Sequence, residues 1–497
     1  MTQSSAQAGK PASKAAPRTA ITPTRAENFP EWYQEVIKAA DLAENSPVRG
    51  CMVIKPHGYA LWENVQRSLD DLIKREGVQN AYFPLLIPLS FISREADHVD
   101  GFAKECAVVT HHRLEKGADG KLVPAPDAQL EEPFVIRPTS ETIIGDSMAK
   151  WVQSYRDMPL LLNQWCNVMR WEMRTRMFLR TSEFLWQEGH NAFETADQAN
   201  LDARKMLEVY NEMYENFMAI PGFKGEKTAD ERFPGAIHSY TIEAMMQDGK
   251  ALQACTSHNL GQNFARSCGI KFQGRDGLEH YAHTTSWGLS TRSIGGLIMT
   301  HSDDDGLILP PRLAPQQVVI LPIVKDDGNS SSVMEACHKL AAQLKEIGVR
   351  VMVDASEARA PDKMWAAIKK GVPVRVEIGA REVEQGTLTH TRRDVGRESK
   401  TTCSMTEFLG TIKPLLDTIH TSMYDKVMRA TRSRVQNVVT LDQVKSFFTE
   451  GEGGFARMPI EMLDNEDYQI FKKDNSLSSR CLPFEDEGSM VLIGKSY

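Results

Sequence analysis

Three short segments of this chain concentrate the residue types that handle phosphate, carboxylate and aromatic groups. The first is Arg170-Trp-Glu172, followed after a loop holding Arg174 and Arg176 by Arg180-Thr181-Ser-Glu-Phe184-Leu-Trp186-Gln-Glu188-Gly-His190. If residues 164–172 form one strand and 180–190 its partner, the two-residue period puts Arg170 and Glu172 on one face with Cys166 and Val168. The same period gathers Arg180, Phe184, Trp186, Glu188 and His190. Such a face is neither greasy packing nor an evenly salted surface. Guanidinium forks match paired oxygens of phosphate or carboxylate, and aromatic rings stack on nucleobases. The second segment, Arg137-Pro-Thr139-Ser-Glu141-Thr, is by itself equally a helix N-cap with Glu141 in the first turn. The third combines Gln253-Ala-Cys-Thr256-Ser-His258 with Ser286-Trp-Gly288-Leu-Ser290-Thr-Arg292. Small polar residues around one His suggest a pocket wall, and Arg292 could reach a phosphate.

The elements that must hold these segments are legible in outline. Residues 59–76 carry Trp62, Val65, Leu69, Leu72 and Ile73 at helical spacing, with Gly77 as a stop. Asn80–Leu89 reads as a Pro-punctuated strand, and alternating runs over 133–187 suggest a mostly antiparallel sheet. Thr195-Ala-Asp-Gln198 is a capping box opening a helix that ends at Pro221-Gly222. The prolines of Ile308–Pro315 mark a boundary. Beyond it, strands at Gln316–Val324, Val349–Asp354 and Val372–Ile378 alternate with helices at Ser332–Ile347 and Asp362–Lys370, which indicates a small α/β domain. Thr387–Arg392 and Ser399–Ser404 could form a hairpin, and the chain reads as helical from about residue 420.

Composition sets the outer limits. With 41% hydrophobic and 25% charged residues, the chain is not wholly disordered, collagen-like or a coiled coil. No apolar run approaches the ~18–20 residues of a membrane helix, so a soluble protein with no membrane partner is expected. The Ser/Ala/Pro/Lys-rich residues 1–24 read as a disordered tail rather than a signal peptide. A net charge of −8 gives no global attraction to nucleic acid, but RNA needs only a local basic face. The eight cysteines form no C-x-x-C pair, and read as core thiols in a reducing, cytoplasmic setting.

Arg-x-Glu, a loop, then Arg-x-x-x-Phe resembles motif 2 of the class II aminoacyl-tRNA synthetases, and Pro84 sits where their motif 1 proline would, at a dimer interface. Arg137–Thr142, Asn163-Gln-Trp-Cys-Asn-Val, Phe184–His190, Thr256-Ser-His258 and Ser286-Trp-Gly288 are similar to the prolyl-tRNA synthetases of the archaeal/eukaryotic type, over about Asn28 to Tyr497. The resemblance implies an α+β catalytic domain with a mixed, mostly antiparallel sheet (residues 25–310), an α/β anticodon-binding domain (311–418) and a small α+β C-terminal domain (419–497). It implies ligation of L-proline to tRNA-Pro by a homodimer, through a prolyl-adenylate formed with ATP and Mg²⁺.

By the same resemblance, Arg170 holds the α-phosphate and the proline carboxylate, and it and Arg292 are the catalytic arginines. Glu172 orients adenine, Arg180 and Thr181 meet the outer phosphates, and Phe184 and Arg292 sandwich the base. Gln253, Thr256 and Ser290 line the ribose and phosphate region. Thr139 and Glu141 bind the ammonium of proline, and Trp186, His190 and His258 wall its ring. Glu377 and Arg381 read the anticodon, Glu243 is a candidate Mg²⁺ ligand, and Tyr497 docks the C-terminus. Relatives often carry a four-cysteine zinc site in the C-terminal domain. Cys481 is the sole thiol of that domain here, so no zinc is expected. The rivals are another class II synthetase such as a threonyl one, a silent RNA-binding paralogue, and an adenylating ligase that uses no RNA.

Overall fold

The computed structural model describes residues 19–93, 105–324, 330–451 and 453–497. Residues 1–18 of the expected tail lie outside that range. Its last residues do not behave as a tail. Ile21 is 2% exposed within the main core, and its amide donates to the Asp304 carbonyl at 2.8 Å.

An eleven-stranded sheet organises the molecule. From edge to edge it runs Val435–Asn437, Phe455–Pro459, Met490–Lys495, Leu477–Pro483, Phe223–Glu226, His238–Met245, Ala251–Gly261, His283–Ser290, Glu183–Phe193, Leu160–Met169 and Gln79–Asn80. Its two terminal pairs are parallel and the others antiparallel. One face is covered by the capped helix Ala196–Asn216, which buries Ala199, Ala203, Met206, Tyr210 and Tyr214. The Thr195–Gln198 capping box is formed as the sequence suggested. Helices Phe29–Ala39 and Pro56–Arg75 add Trp32, Val36, Leu61, Val65 and Leu69 to the same core. The second of these starts on Pro56 and stops before Gly77, whose φ of +85° suits glycine.

Asn80–Leu89 is not one strand. Only Gln79–Asn80 and Leu86–Pro88 pair, in different sheets. Pro84 lies between them and has no amide to give a ladder. The α/β rhythm after residue 312 is present. Val351–Val353, Val318–Ile323 and Val374–Gly379 are parallel, and Thr387–Arg392 and Thr401–Ser404 complete a five-stranded sheet in antiparallel fashion. A single helix, Met405–Ser433, runs through 418/419, where the sequence reading put a boundary. It tolerates Pro414 and buries Phe408, Ile412, Leu416, Ile419 and Met423 on one side. Amphipathic continuity outweighs one lost backbone bond.

The C-terminal unit is joined to the large sheet itself. Leu477–Pro483 pairs with Phe223–Glu226 through Gly225↔Pro483 and Glu226↔Leu482. At Gly225 a Cβ would meet the Leu482 carbonyl oxygen at 2.4 Å, so this approach requires glycine.

Candidate active site

The strand pair Leu160–Met169 and Glu183–Phe193 is in the register the sequence period requires: Val168 faces Phe184, Cys166 faces Trp186, and Gln164 faces Glu188. Arg170 lies one residue past the ladder, its amide held by the Ser182 carbonyl at 2.8 Å. Its Nε donates to the Pro138 carbonyl at 2.9 Å, and its guanidinium lies 5.7 and 5.4 Å from the Phe184 and Trp186 rings. Burial pushes this guanidinium below its ordinary value, partly opposed by the charge of Glu141.

A cavity of about 320 Å³ opens on the face of the sheet away from helix Ala196–Asn216, beside helix Glu141–Trp151. Thr139, Glu141, Arg170, Phe184, Trp186, His190, Gln253, Thr256, His258, Ser290 and Arg292 all line it. Four distant stretches of chain therefore converge. Helix Glu141–Trp151 begins at the cavity, but its N-cap Ser140 makes no side-chain cap bond. The Ser140 hydroxyl instead donates to Glu188 Oε1 at 2.5 Å, and the Thr139 hydroxyl donates to Glu141. An ordinary N-cap would have spent Ser140 on the helix. Arg137 is buried behind the site, donating to the Phe83 carbonyl at 2.8 Å and to the carbonyl and side chain of Asn167 at 2.7 and 3.0 Å.

Glu188 is the hub of the inner wall. It is 2% exposed and also accepts from Gln164 at 2.9 Å, while Oε2 lies 2.9 Å from His190 Nε2. Burial alone would raise its carboxyl, but the His190, Ser140 and Gln164 bonds hold it below the carboxylate range. Burial opposes charge on His190 too, yet Glu188 raises that imidazole above its usual value. His258 differs. Burial, with Lys227 and His190 nearby, depresses it to about 3, so it is neutral. It shares a 2.8 Å hydrogen bond with Ser239 and stacks on Phe233 at 4.6 Å.

Lys227, Glu231, Arg232 and Phe233 also line the cavity, and the sequence reading missed them. They lie between strands in Lys227–Pro234, whose mixed charges give no periodic signal; a charged loop ending in Pro-Gly was the sole clue. Arg292 opens helix Arg292–His301, donates from Nε to the Leu179 carbonyl at 3.3 Å, and is pushed down by burial and by Arg180.

Other expected residues lie elsewhere. Glu172 accepts from the Arg174 amide at 2.7 Å, outside the cavity. Arg180 lines a smaller cavity of about 200 Å³ that shares Lys227, Glu231, Gln253 and Arg292 with the first, and it donates to the Tyr497 carbonyl at 3.3 Å. Thr181 lines a separate cavity beside Asn28 and Gly50, its hydroxyl given to the Glu183 carbonyl at 2.7 Å. Glu377 pairs with Lys400 at 3.1 Å and Arg375 at 3.6 Å, and Arg381 is exposed in helix Ala380–Gln385. Glu243 requires correction. Its carboxylate is fully buried and taken by Arg480 at 3.0 and 2.7 Å, so a magnesium ion would have to displace a guanidinium. It does not fit as a metal ligand. Among the described residues, no group of three or more His, Cys, Asp or Glu could hold a metal ion, and no helix is long and apolar enough to cross a membrane.

Two family models match: the tRNA synthetase class II core domain (G, H, P, S and T) over residues 125–301, and the anticodon binding domain over residues 317–415. With the antiparallel sheet and its arginine-and-aromatic cavity, these define a class II aminoacyl-tRNA synthetase. Relatives narrow the class. The proline–tRNA ligase of Bdellovibrio bacteriovorus is 53% identical over 489 residues, 96% of this chain and 97% of that protein. That of Rhodopirellula baltica is 54% identical over 493 residues, covering 97% and 96%. A structure of prolyl-tRNA synthetase from Cryptosporidium parvum complexed with L-proline and AMP has a TM-score of 0.86 at 34% identity, covering 96% of this chain and 97% of that one. The same protein complexed with halofuginone and AMPPNP gives 0.87, covering 96% and 99%. The chain belongs to the proline–tRNA ligase family and is an ATP-dependent ligase of proline and tRNA. These curated relatives are bacterial and lend no support to an archaeal/eukaryotic type.

Proposed function

We propose that the 320 Å³ cavity is where proline and ATP become prolyl-adenylate, before transfer to tRNA-Pro. One observation carries this: Glu141, Arg170, Phe184 and Arg292, remote in sequence, line it together. A proline carboxylate oxygen attacks the α-phosphorus, the bond to the β-phosphate oxygen breaks, and pyrophosphate leaves. A hydroxyl of the terminal tRNA ribose then attacks the prolyl carbonyl carbon, and AMP leaves. No protein nucleophile is needed, so the chain contributes orientation and fixed positive charge.

Arg170 spans the α-phosphate and the proline carboxylate, a bidentate task that lysine serves poorly. Phe184 and Arg292 enclose adenine, and Gln253, Thr256 and Ser290 line the ribose side. Glu141 with Thr139 receives the two N–H groups of the secondary ammonium. Trp186, neutral His258 and the Glu188-bound His190 wall the ring. Arg180, in the adjoining cavity with Lys227 and Arg292, meets the outer phosphates. Glu172 and Thr181 are assigned no nucleotide contact, because neither lines the two cavities. Magnesium would arrive on the nucleotide phosphates, largely hydrated, rather than in a protein cage. A neighbour complexed with L-proline and AMP supports proline and an adenine nucleotide as the ligands.

The partition proposed is a catalytic core to about residue 310, an anticodon-binding unit over 311–418 and a C-terminal unit beyond, bridged by helix Met405–Ser433. Glu377 and Arg381, at the end of a strand and the start of the next helix, are the anticodon-reading pair. A homodimer is supported by the exposed apolar residues Tyr82, Leu86 and Trp151 around Pro84. Action on tRNA suits a cytoplasmic setting. Pyrophosphate exchange with each amino acid in turn, then charging of purified tRNA, tests the reading: proline-dependent exchange and charging of tRNA-Pro alone are expected, and exchange driven best by another amino acid overturns it.

A further inference from the structure

Glu243, Lys227 and Arg480 form a buried cluster of one carboxylate and two cations at the junction of the catalytic sheet and the C-terminal unit. Their side chains are 0%, 5% and 6% exposed. Arg480 is the closer partner: Nε and Nη2 donate to Oε2 at 3.0 and 2.7 Å, and Nη1 donates to Ser478 at 2.8 Å. Lys227 Nζ stands off at 3.5 Å from Oε1, which also accepts from Thr241 at 2.9 Å. Two bulges produce this arrangement. The pairing of Leu477–Pro483 with Met490–Lys495 slips between Ser479 and Cys481, at Arg480 itself, and that of His238–Met245 with Ala251–Gly261 slips between Ile242 and Glu243. A bulge re-aims a side chain, and here it turns Arg480 onto a carboxylate of another domain.

Lys227 is the member of the cluster that lines both cavities, beside Arg292 and Gln253. Glu243 Oε2 already takes two guanidinium donors and Oε1 the Thr241 hydroxyl, so the carboxylate holds the Lys227 ammonium loosely, at 3.5 Å, and leaves it at the cavity wall. We propose that Arg480 is a positioning residue: by occupying Glu243 it keeps Lys227 at the cavity wall, where its ammonium binds the polyphosphate of ATP. The C-terminal unit, whose Arg480, Ser496 and Tyr497 line the smaller cavity, thus completes the nucleotide site from its outer side. The pair also acts on Arg292, with Glu243 favouring and Arg480 opposing its charge. Remove Arg480, and Lys227 becomes the sole cation for a buried carboxylate and collapses onto it.

The inference rests on the proposed ATP site, and the experiment separates the two. Proline-dependent pyrophosphate exchange by the unaltered enzyme tests the site; the variants test Arg480. Arg480→Met raises KM for ATP about ten-fold, the cost of one charge-assisted bond to phosphate, and leaves KM for proline within about two-fold. The double variant Glu243→Gln/Arg480→Met removes the trap and returns KM for ATP to within about three-fold of the unaltered enzyme. Lys227→Met reproduces the single Arg480 change. An unchanged KM for ATP in folded Arg480→Met, or a double variant as impaired as the single, overturns the proposal. If Arg480→Met does not fold, the other two decide. A raised KM for ATP in Lys227→Met with a near-normal double variant supports it, and an unchanged KM in Lys227→Met overturns it.

Discussion

Replacing Glu188 by Gln perturbs the inner wall at its hub while keeping its shape. The amide keeps one oxygen for Ser140 and Gln164 but turns an NH₂ group toward His190, where a charge-assisted bond now spans 2.9 Å. A hydrogen bond to a charged group contributes about 1.5–3 kcal/mol, so the substitution should lower stability by about that amount. Its pH dependence has a definite sign. Glu188 is held below its ordinary value of 4.5, so its contribution is complete above that pH and is lost as pH falls through the folded value. His190 is raised above its ordinary 6.5, so its contribution is complete below 6.5 and is lost as pH rises through the folded value. The pair therefore stabilises most between 4.5 and 6.5. Urea unfolding of both proteins should show the full difference near about pH 5.5 and a smaller one near about pH 9. Because Glu188 also tethers Ser140, next to Glu141, KM for proline should rise about ten-fold, equivalent to one such bond. A stability difference that is equal at both pH values or larger in alkali, with an unchanged KM for proline, would refute this account of the wall.

Arg170→Ala should abolish proline-dependent pyrophosphate exchange while the circular dichroism spectrum and unfolding midpoint stay close to normal; its side chain bonds the Pro138 carbonyl and lies against the Phe184 and Trp186 rings at the cavity. Deleting Tyr497 should raise KM for proline or lower kcat several-fold with little change in Tm. It removes a ring bonded to Asp248 at 2.5 Å, flanked by Lys250 and Arg176, and a backbone carbonyl bonded to Arg180. Glu377→Ala and Arg381→Ala should each raise KM for tRNA well beyond an exposed Lys339→Ala control, as measured by charging at limiting tRNA; parity with that control would reduce Glu377 to its Lys400 and Arg375 ion pairs.

How much of this was legible in the sequence depends on the reach of each contact. The shared face of Phe184, Trp186, Glu188 and His190 follows from a period of two, because both strands are regular through those positions. The same reasoning fails at Glu172 and Arg180, since the ladder ends at Met169 and resumes at Glu183. The α/β unit is legible because each of its elements carries its own periodicity, whereas the helix Met405–Ser433 hides its length behind Gly410 and Pro414. Lys227–Phe233 gives no pattern at all, being a loop whose position is set by the strands on either side.

The misreading of Glu243 shows what local pattern lacks. Glu243 entered as a candidate Mg²⁺ ligand with the resemblance, and nothing near it in the sequence shows a partner that is 237 residues away. No spacing rule connects them; they meet because Gly225 lets a strand of the C-terminal unit continue the catalytic sheet at close range. A buried carboxylate must find a cation or change its protonation, and the first to arrive decides its chemistry. Here the sheet delivers a guanidinium, so a residue that the resemblance would give to magnesium becomes the link between two domains. The same junction accounts for the anchoring of a domain with one cysteine. Strand pairing, the Glu243–Arg480 pair and the docked Tyr497 each tie it to the catalytic body, and Arg480 and Tyr497 line the smaller cavity.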